Sequence, residues 1–343
     1  MKVTTEVKVL DWKSFLQKVS SATIYHSPEW KKFLEKTFGY KPYYLFSVNE
    51  SDEIAGMLPL MHVKSRLLGS RLSCMPFAHR CGYIGDNVYK NNLIEAAVKI
   101  FNDSNIRYLE IRDAVRDSEF KNINAFSTYI LELSGNVGEV WKRADKGSVR
   151  WAIKKSQKNL SVDATKNIED LKEFYELNCV TKKDKGVPCH TWKFFKNLFD
   201  ILQDHISLYT ARYKDEIIGG GIMDYFKENV LYAYGAANPD YLKLYPYNAF
   251  IWKSIEDACL KGYKYYDFGS TSYDNTGLAN FKRKWGSVEH KLCYSYHPYA
   301  SSSALIEAYG EKKLSYKFGG YVIRHSPMIL YKKFSDLIFR EVG

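Results

Sequence analysis

Two short runs in this chain are nearly repeated a long way downstream. Asp52-Glu53-Ile54-Ala55-Gly56 is matched by Asp215-Glu216-Ile217-Ile218-Gly219, 163 positions later. Arg107-Tyr108-Leu109-Glu110-Ile111 is matched by Lys264-Tyr265-Tyr266-Asp267-Phe268, 157 positions later. The offsets differ by six, so one small insertion brings both pairs into a single register. Such an offset marks a whole domain copied in tandem, well beyond the roughly 20–50 residues of a solenoid unit. Whatever one half folds into, the other half folds into as well.

Hydrophobic spacing fills in each copy. In the first, Glu6–Leu10 alternates as a strand, and a short helix follows around Trp12, Phe15, Leu16 and Val19. Ser27 is a good N-cap and Pro28 a good first helical residue for a helix whose face carries Trp30, Phe33 and Leu34. Tyr43–Val48 and Ile54–Val63 read as a hairpin, Arg71–Ala78 as a strand, Asn92–Asn102 as a helix and Arg107–Arg112 as a strand. The second copy repeats this order: a helix at Trp192, Phe195 and Leu198, strands at Ser207–Tyr213 and Val230–Gly235, a helix at Phe250–Leu260, and the strand ending at Phe268. The fold class is mixed α/β with largely antiparallel sheets. The expected division is residues 1–140, 141–298 and a helical tail over 299–343.

Lys and Arg outnumber Asp and Glu by 50 to 39, which favours anionic partners. The stretch Trp141–Val162 is the most basic, and Val149, Ala152, Ile153 and Gln157 give it the narrow apolar face of a cationic helix. Its Arg150 is a candidate phosphate contact. In the tail, Pro327 interrupts an apolar run, and Met328, Leu330, Tyr331, Phe334, Leu337 and Ile338 follow at helical spacing beside Lys332 and Lys333. This is either a packed helix or a peripheral contact with an anionic membrane over residues 321–340. The six cysteines form no CxxC and no metal-ligand spacing, so no metal is expected; Cys179 and Cys189 are the pair to watch. The first thirty residues lack an apolar signal core, and no run is long enough to span a membrane, so the expected location is cytoplasmic, either free or peripheral at the membrane's inner face.

The chemistry is expected in Gly262–His290. There a strand carrying Asp267 ends at Gly269-Ser270, and Phe281-Lys282-Arg283-Lys284-Trp285 follows. The first copy has no counterpart of that cationic cluster. With Tyr245-Pro246-Tyr247-Asn248-Ala249, Tyr265-Tyr266-Asp267-Phe268-Gly269 and His26-Ser27-Pro28-Glu29-Trp30, the chain resembles the FemAB-type aminoacyl and peptidyl transferases over residues 25 to 298. The resemblance implies two tandem domains of the GNAT acyltransferase fold. It implies transfer of an aminoacyl group to an amine of a peptidoglycan or other cell-envelope precursor. The co-substrate would be aminoacyl-tRNA or acyl-CoA, with no permanently bound cofactor. By resemblance, Phe281 and Lys282 occupy the catalytic position, and Asp113 matches a cleft-facing aspartate. Trp30, Arg150, His190, Tyr247, Asn248, Asp267 and Arg283 are the candidate substrate-binding residues.

Two positions depart from the family. Leu34 stands where members carry a lysine, and His190 where an arginine meets the precursor's phosphates; a neutral imidazole cannot replace a bidentate guanidinium. The turn before the second-copy helix, Lys243–Asn248, has no glycine, unlike the usual pyrophosphate-binding turn of acyl-CoA enzymes. The alternatives are an acyl-CoA-dependent N-acyltransferase acting on a polysaccharide or lipid-linked sugar, and a non-catalytic module that binds nucleic acid or membrane.

Overall fold

The protein is represented by a computed structural model that describes residues 2–65, 69–298 and 314–342. Residues 299–313, where the expected tail begins, lie outside it. The chain forms two compact units: Met1–Ala125 with Leu292–Glu311 and Arg340–Gly343, and Phe126–Lys291 with Lys312–Phe339.

The first unit contains β1 (Lys2–Thr4), α1 (Val9–Lys18), α2 (Pro28–Phe38), β2 (Lys41–Val48), β3 (Ile54–Ser65), β4 (Gly69–Ser73), β5 (Ile84–Gly85), α3 (Lys90–Asn102) and β6 (Tyr108–Ile111). The first strand is not at Glu6–Leu10. It lies at Lys2–Thr4, paired with β2, and Val9 and Leu10 join the helix whose Trp12, Phe15 and Leu16 are buried. Ser27 caps α2 as expected, its hydroxyl accepting the Trp30 N–H at 3.1 Å, and Pro28 opens the helix. The strand expected over Arg71–Ala78 stops at Ser73, because Met75 and Phe77 take left-handed backbone angles that no strand continues through. The pairs β1–β2, β2–β3 and β3–β4 are antiparallel, and β4–β6 is parallel. Leu58, Leu60, Leu72 and Leu109 of the strands form one core with Leu93 and Ala97 of α3.

The second unit contains β7 (Lys121–Glu132) from Phe126 onward, α4 (Val137–Arg143), α5 (Trp151–Ser156), β8 (Ser161–Thr165), α6 (Ile168–Asp184), α7 (Trp192–Leu202), β9 (Ile206–Tyr213), β10 (Glu216–Phe226), β11 (Asn229–Ala237), α8 (Pro246–Leu260), β12 (Tyr265–Ser272), α9 (Thr276–Arg283) and the start of β13 (Val288–His297). The tail helices are α10 (Leu314–His325) and α11 (Met328–Val342). The pairs β8–β9, β9–β10 and β10–β11 are antiparallel, and β11–β12 is parallel.

The duplication is therefore visible strand by strand. β1, β2, β3, β4 and β6 correspond to β8, β9, β10, β11 and β12, and α3 corresponds to α8. Each copy then needs one more strand beside its parallel pair, and neither copy supplies its own. In unit 1 it is the end of β13, where Ser295–His297 pair antiparallel with Leu109–Ile111. In unit 2 it is β7, where Phe126–Glu132 pair antiparallel with Tyr265–Ser272. The chain thus leaves unit 1 within β7 and returns to it within β13.

Two expected helices change form. Trp141–Val162 is not one cationic helix. It breaks at Ala144-Asp145, re-forms as a wide π-helical turn at Lys146–Arg150 and continues as α5. Its apolar face survives in Val149, Ala152 and Ile153, but Ser156 takes the inward place expected for Gln157. In α11 the expected single apolar face splits. Tyr331 and Ser335 point inward, while Leu330, Phe334 and Leu337 point out. The inward side meets Cys179 and Cys189, free thiols whose sulfurs are 3.3 Å apart.

A fragment ending at residue 140 lacks the β13 residues that pair with β6, and this strips cover from the buried Leu109 and Ile111. We expect that fragment to melt without a cooperative transition by circular dichroism. A sharp transition close to that of the full chain would contradict the exchanged-strand description.

Candidate active site

The second unit contains a wedge where two parallel strands part. β11 and β12 share rungs only from Asn229–Leu231 to Tyr265–Asp267, yet both strands run on, to Ala237 and Ser272. Each carries an irregularity where the separation begins. Against β10, β11 shifts register between Tyr232 and Tyr234, leaving Ala233 as the extra residue. Against β7, β12 shifts between Asp267 and Ser270, with Gly269 at φ +73°. Bulges add twist and bend a strand away from its neighbour, so two of them open the pair. The extra residue also turns successive tyrosines to opposite faces: Tyr232 packs near Phe250 on the α8 side, and Tyr234 meets Phe194 and Phe195 on the α7 side. Gly235 has to be glycine, since a Cβ there would collide with the Tyr232 hydroxyl.

Lys282 points at the β12 bulge. Asn275 caps α9 by accepting the Leu278 N–H at 3.1 Å, which sets the helix so that Lys282 falls on its inner side in the last turn. The side chain is only 4% exposed. Its ammonium donates to the carbonyls of Gly269 at 2.8 Å and Ser270 at 3.1 Å, and lies 5.6 Å from the centre of the Tyr129 ring. An ammonium has three donors, so one remains beyond these two hydrogen bonds. Burial pulls its pKa down to about 8, and the nearby Asp267 carboxylate only partly offsets this. Asp267 is itself buried and takes hydrogen bonds from the Thr128 hydroxyl and from the Gly269 N–H, at 2.8 Å for the latter. The carboxylate thus shapes the bulge from one side and the lysine holds its carbonyls from the other.

The residues around this pair are less free than their chemistry suggests. Phe281 is partly buried, with its ring edge-on to Trp285 at 6.1 Å. Arg283 pairs with Glu289 at 2.6 Å and lies over Tyr129 at 5.5 Å, and Glu289 also accepts the Ser127 hydroxyl at 2.7 Å.

The start of α8 forms the other wall. Tyr245 precedes the helix in the left-handed region and offers no side-chain cap, and Pro246 opens the first turn. Tyr247 is largely buried against Phe250, and burial raises its phenol pKa while Thr181 and Ala237 beside it pull the other way. Asn248 is half-buried in the first turn of the helix. The π turn comes close here: Trp151 touches the Tyr245 ring at 5.1 Å, and the preceding Arg150 has a buried Nε with no partner. Arg150, Tyr247, Asn248, Asp267 and Lys282 are thus gathered in one unit.

The other expected residues lie elsewhere. His190 sits on the opposite face of the sheet, ringed by Phe194, Phe195, Tyr234 and Phe339, where burial pushes its pKa well below the usual imidazole range. Trp30 and Asp113 are in unit 1. Trp30 is completely buried between Tyr25 and Phe33. Asp113 forms an ion pair with Lys90 at 2.6 Å, and its other oxygen accepts the Ala114 N–H at 2.8 Å.

Sequence reasoning missed Thr128 and Tyr129, which complete the surroundings of Asp267 and Lys282 from β7. The alternation in Asn124–Leu133 was the available signal. It also missed Tyr232 and Gly235, for which nothing in the local pattern marks a bulge.

Residues 144–283 match the model of the acetyltransferase (GNAT) domain family, a span that takes in the π turn, both diverging strands, α8 and Lys282. A domain of this kind takes an activated acyl co-substrate of the acyl-CoA type. No curated protein matches the chain. Among solved structures, FemX superposes with a TM-score of 0.72 at 16% identity, covering 90% of this chain and all of FemX (100%). L-PGS from Bacillus licheniformis gives 0.59 at 11% identity, covering 94% and 100%. A domain assigned to a lysylphosphatidylglycerol synthetase of Agrobacterium fabrum gives 0.58 at 11%, covering 88% and 95%. The chain thus carries a GNAT-type acyltransferase domain that encloses the Lys282 wedge, and it shares the fold of FemX over nearly its whole length.

Proposed function

We propose that the second unit transfers an aminoacyl group from an activated ester, aminoacyl-tRNA, to an amine of a cell-envelope precursor of the peptidoglycan type. The observation that carries this reading is the buried Lys282 ammonium, held at the mouth of the wedge with a donor to spare. In aminolysis of an ester the amine attacks the carbonyl carbon, a C–N bond forms and negative charge gathers on oxygen. A fixed ammonium in a dry site stabilises that charge as it develops. As the C–O bond breaks, Lys282 gives a proton to the departing oxygen, and the proton shed by the new amide nitrogen restores it. A pKa near 8 suits such an exchange near neutral pH.

Arg150, Tyr247 and Asn248 take the anionic part of the donor. Their arrangement replaces a glycine turn with a cation, an uncapped helix start and a half-buried amide. Asp267 positions the bulge, and Arg283 and Phe281 frame the mouth. An envelope acceptor places the reaction at the inner face of the membrane, and the structural likeness to a lysylphosphatidylglycerol synthetase domain favours an envelope component as acceptor. The second reading keeps the same chemistry with an acyl-CoA thioester as donor, and the acetyltransferase model over residues 144–283 favours it.

Thermal-shift measurements separate the two donors, since a ligand that binds only the native state raises Tm. A rise with aminoacyl-tRNA but not with coenzyme A is expected; a rise with coenzyme A alone would overturn the tRNA reading.

Lys282→Met should lower kcat/KM by about 10²–10³. It also strands two backbone carbonyls, for a stability loss of about 1–3 kcal/mol. Full activity in this variant would rule out the catalytic role.

The pH dependence has a definite sign. Lys282 is charged below its folded pKa of about 8, so turnover should fall as pH rises through that value. In Lys282→Arg the guanidinium stays charged, and this limb should disappear from the pH–rate profile. Stability runs the other way. The folded pKa lies below that of the unfolded lysine, so between about 8 and 10.5 the unfolded chain binds the extra proton and the native state gains stability with rising pH.

A further inference from the structure

The last two helices present an outward apolar ridge that the catalytic reading does not use. On α11, Leu330, Phe334 and Leu337 recur at helical spacing and are 45–66% exposed, and Ile329 beside them is 72% exposed. On α10, Tyr321 and Val322 are exposed as well. Single exposed apolar residues are ordinary, but a row of them along consecutive helices is not. The ridge is also firmly held. On the inner side Tyr331 is fully buried with its hydroxyl donating to the Val187 carbonyl at 2.9 Å, the Ser335 hydroxyl accepts the Cys189 N–H at 3.2 Å, and Lys332 pairs with Glu176 at 2.7 Å. These anchors fix the rotation of α11 and thereby keep the leucines and phenylalanine facing out.

We propose that this ridge docks on an anionic lipid surface. The charges around it decide the occupant. Lys333 lies among the exposed apolar residues of α11, Arg324 is exposed at the end of α10, and Asp336 is an exposed acid near one edge. Apolar side chains that reach the acyl boundary, flanked by cations at headgroup level, are what an interfacial helix needs. A second copy of the chain fits less well: a two-fold contact sets the same patch against itself and brings the cations of both copies together. The docking is independent of the acyl donor, so failure of the proposed reaction would leave it standing.

The test is co-sedimentation of the full chain with vesicles of phosphatidylcholine alone and of phosphatidylcholine containing phosphatidylglycerol. Binding is expected only to the second kind, falling with added salt. Leu330→Glu with Leu337→Glu should lower partitioning at least about tenfold. Lys333→Gln and Arg324→Gln should each lower it about fivefold. The substituted side chains face outward, so Tm should not move; Leu330→Gln with Leu337→Gln, which adds no charge, repeats the test if it does. Absence of binding to phosphatidylglycerol vesicles, or equal binding to both kinds, overturns the proposal. So does a dimer in analytical ultracentrifugation that the leucine variants turn into a monomer.

Discussion

The ammonium of Lys282 is bound by the carbonyl oxygens of Gly269 and Ser270, and the rest of the site depends on that contact. A bulge leaves backbone acceptors turned away from the ladder, and buried acceptors need partners. Lys282 supplies the partner from a separate helix. The bulge persists, the strands beside it remain parted, and the cost of holding a cation out of water lowers its proton affinity. Geometry and reactivity thus have one cause. Asp267 belongs to the same arrangement, because it bonds the Gly269 N–H while its charge limits how far the lysine's pKa falls.

The duplication shows how specific this is. The counterpart of Asp267 in the first copy is Glu110, also buried at the end of the parallel strand pair. Glu110 instead accepts from Ser73 at 2.9 Å and pairs with Arg112 at 2.8 Å. Burial alone would raise its pKa, but the guanidinium beside it overrides this and draws it down. One inherited acidic position serves a closed ion pair in one unit and an open bulge in the other.

Much of the fold could be read from the sequence because the repeat fixes relative order. Asp52–Gly56 and Asp215–Gly219 located both hairpins, and Ser27-Pro28 located a helix start to the residue. The strands that finish each sheet were not legible. Duplication suggests that a copy is contiguous, whereas β7 lies ahead of the second copy and the end of β13 behind it. The basic stretch failed for a local reason: helical spacing carries no sign of the break at Ala144-Asp145. In the site, the cation Lys282 stood out by composition and the carboxylate Asp267 by its place in the repeat. The bulges that give both their meaning depend on pairing with strands distant in sequence, and Tyr232, Gly235, Thr128 and Tyr129 gain their roles only through that pairing. His190 illustrates the reverse, a residue singled out by correspondence whose ring is packed among aromatics.

The exchanged strands have a consequence for how the protein is made. A chain emerging from the ribosome normally folds its N-terminal domain first. Here the strands that flank the wedge, β7, β11 and β12, are all present once Ser272 has emerged, whereas the last strand of unit 1 arrives only with Ser295–His297. The first half synthesised is therefore the last to be finished, and Leu109 and Ile111 wait with an open β-edge while unit 2 folds. An unpaired edge of this kind invites pairing with other chains. The nascent protein is thus most exposed to misassembly along β6, at a stage when the wedge of unit 2 already has every strand it needs.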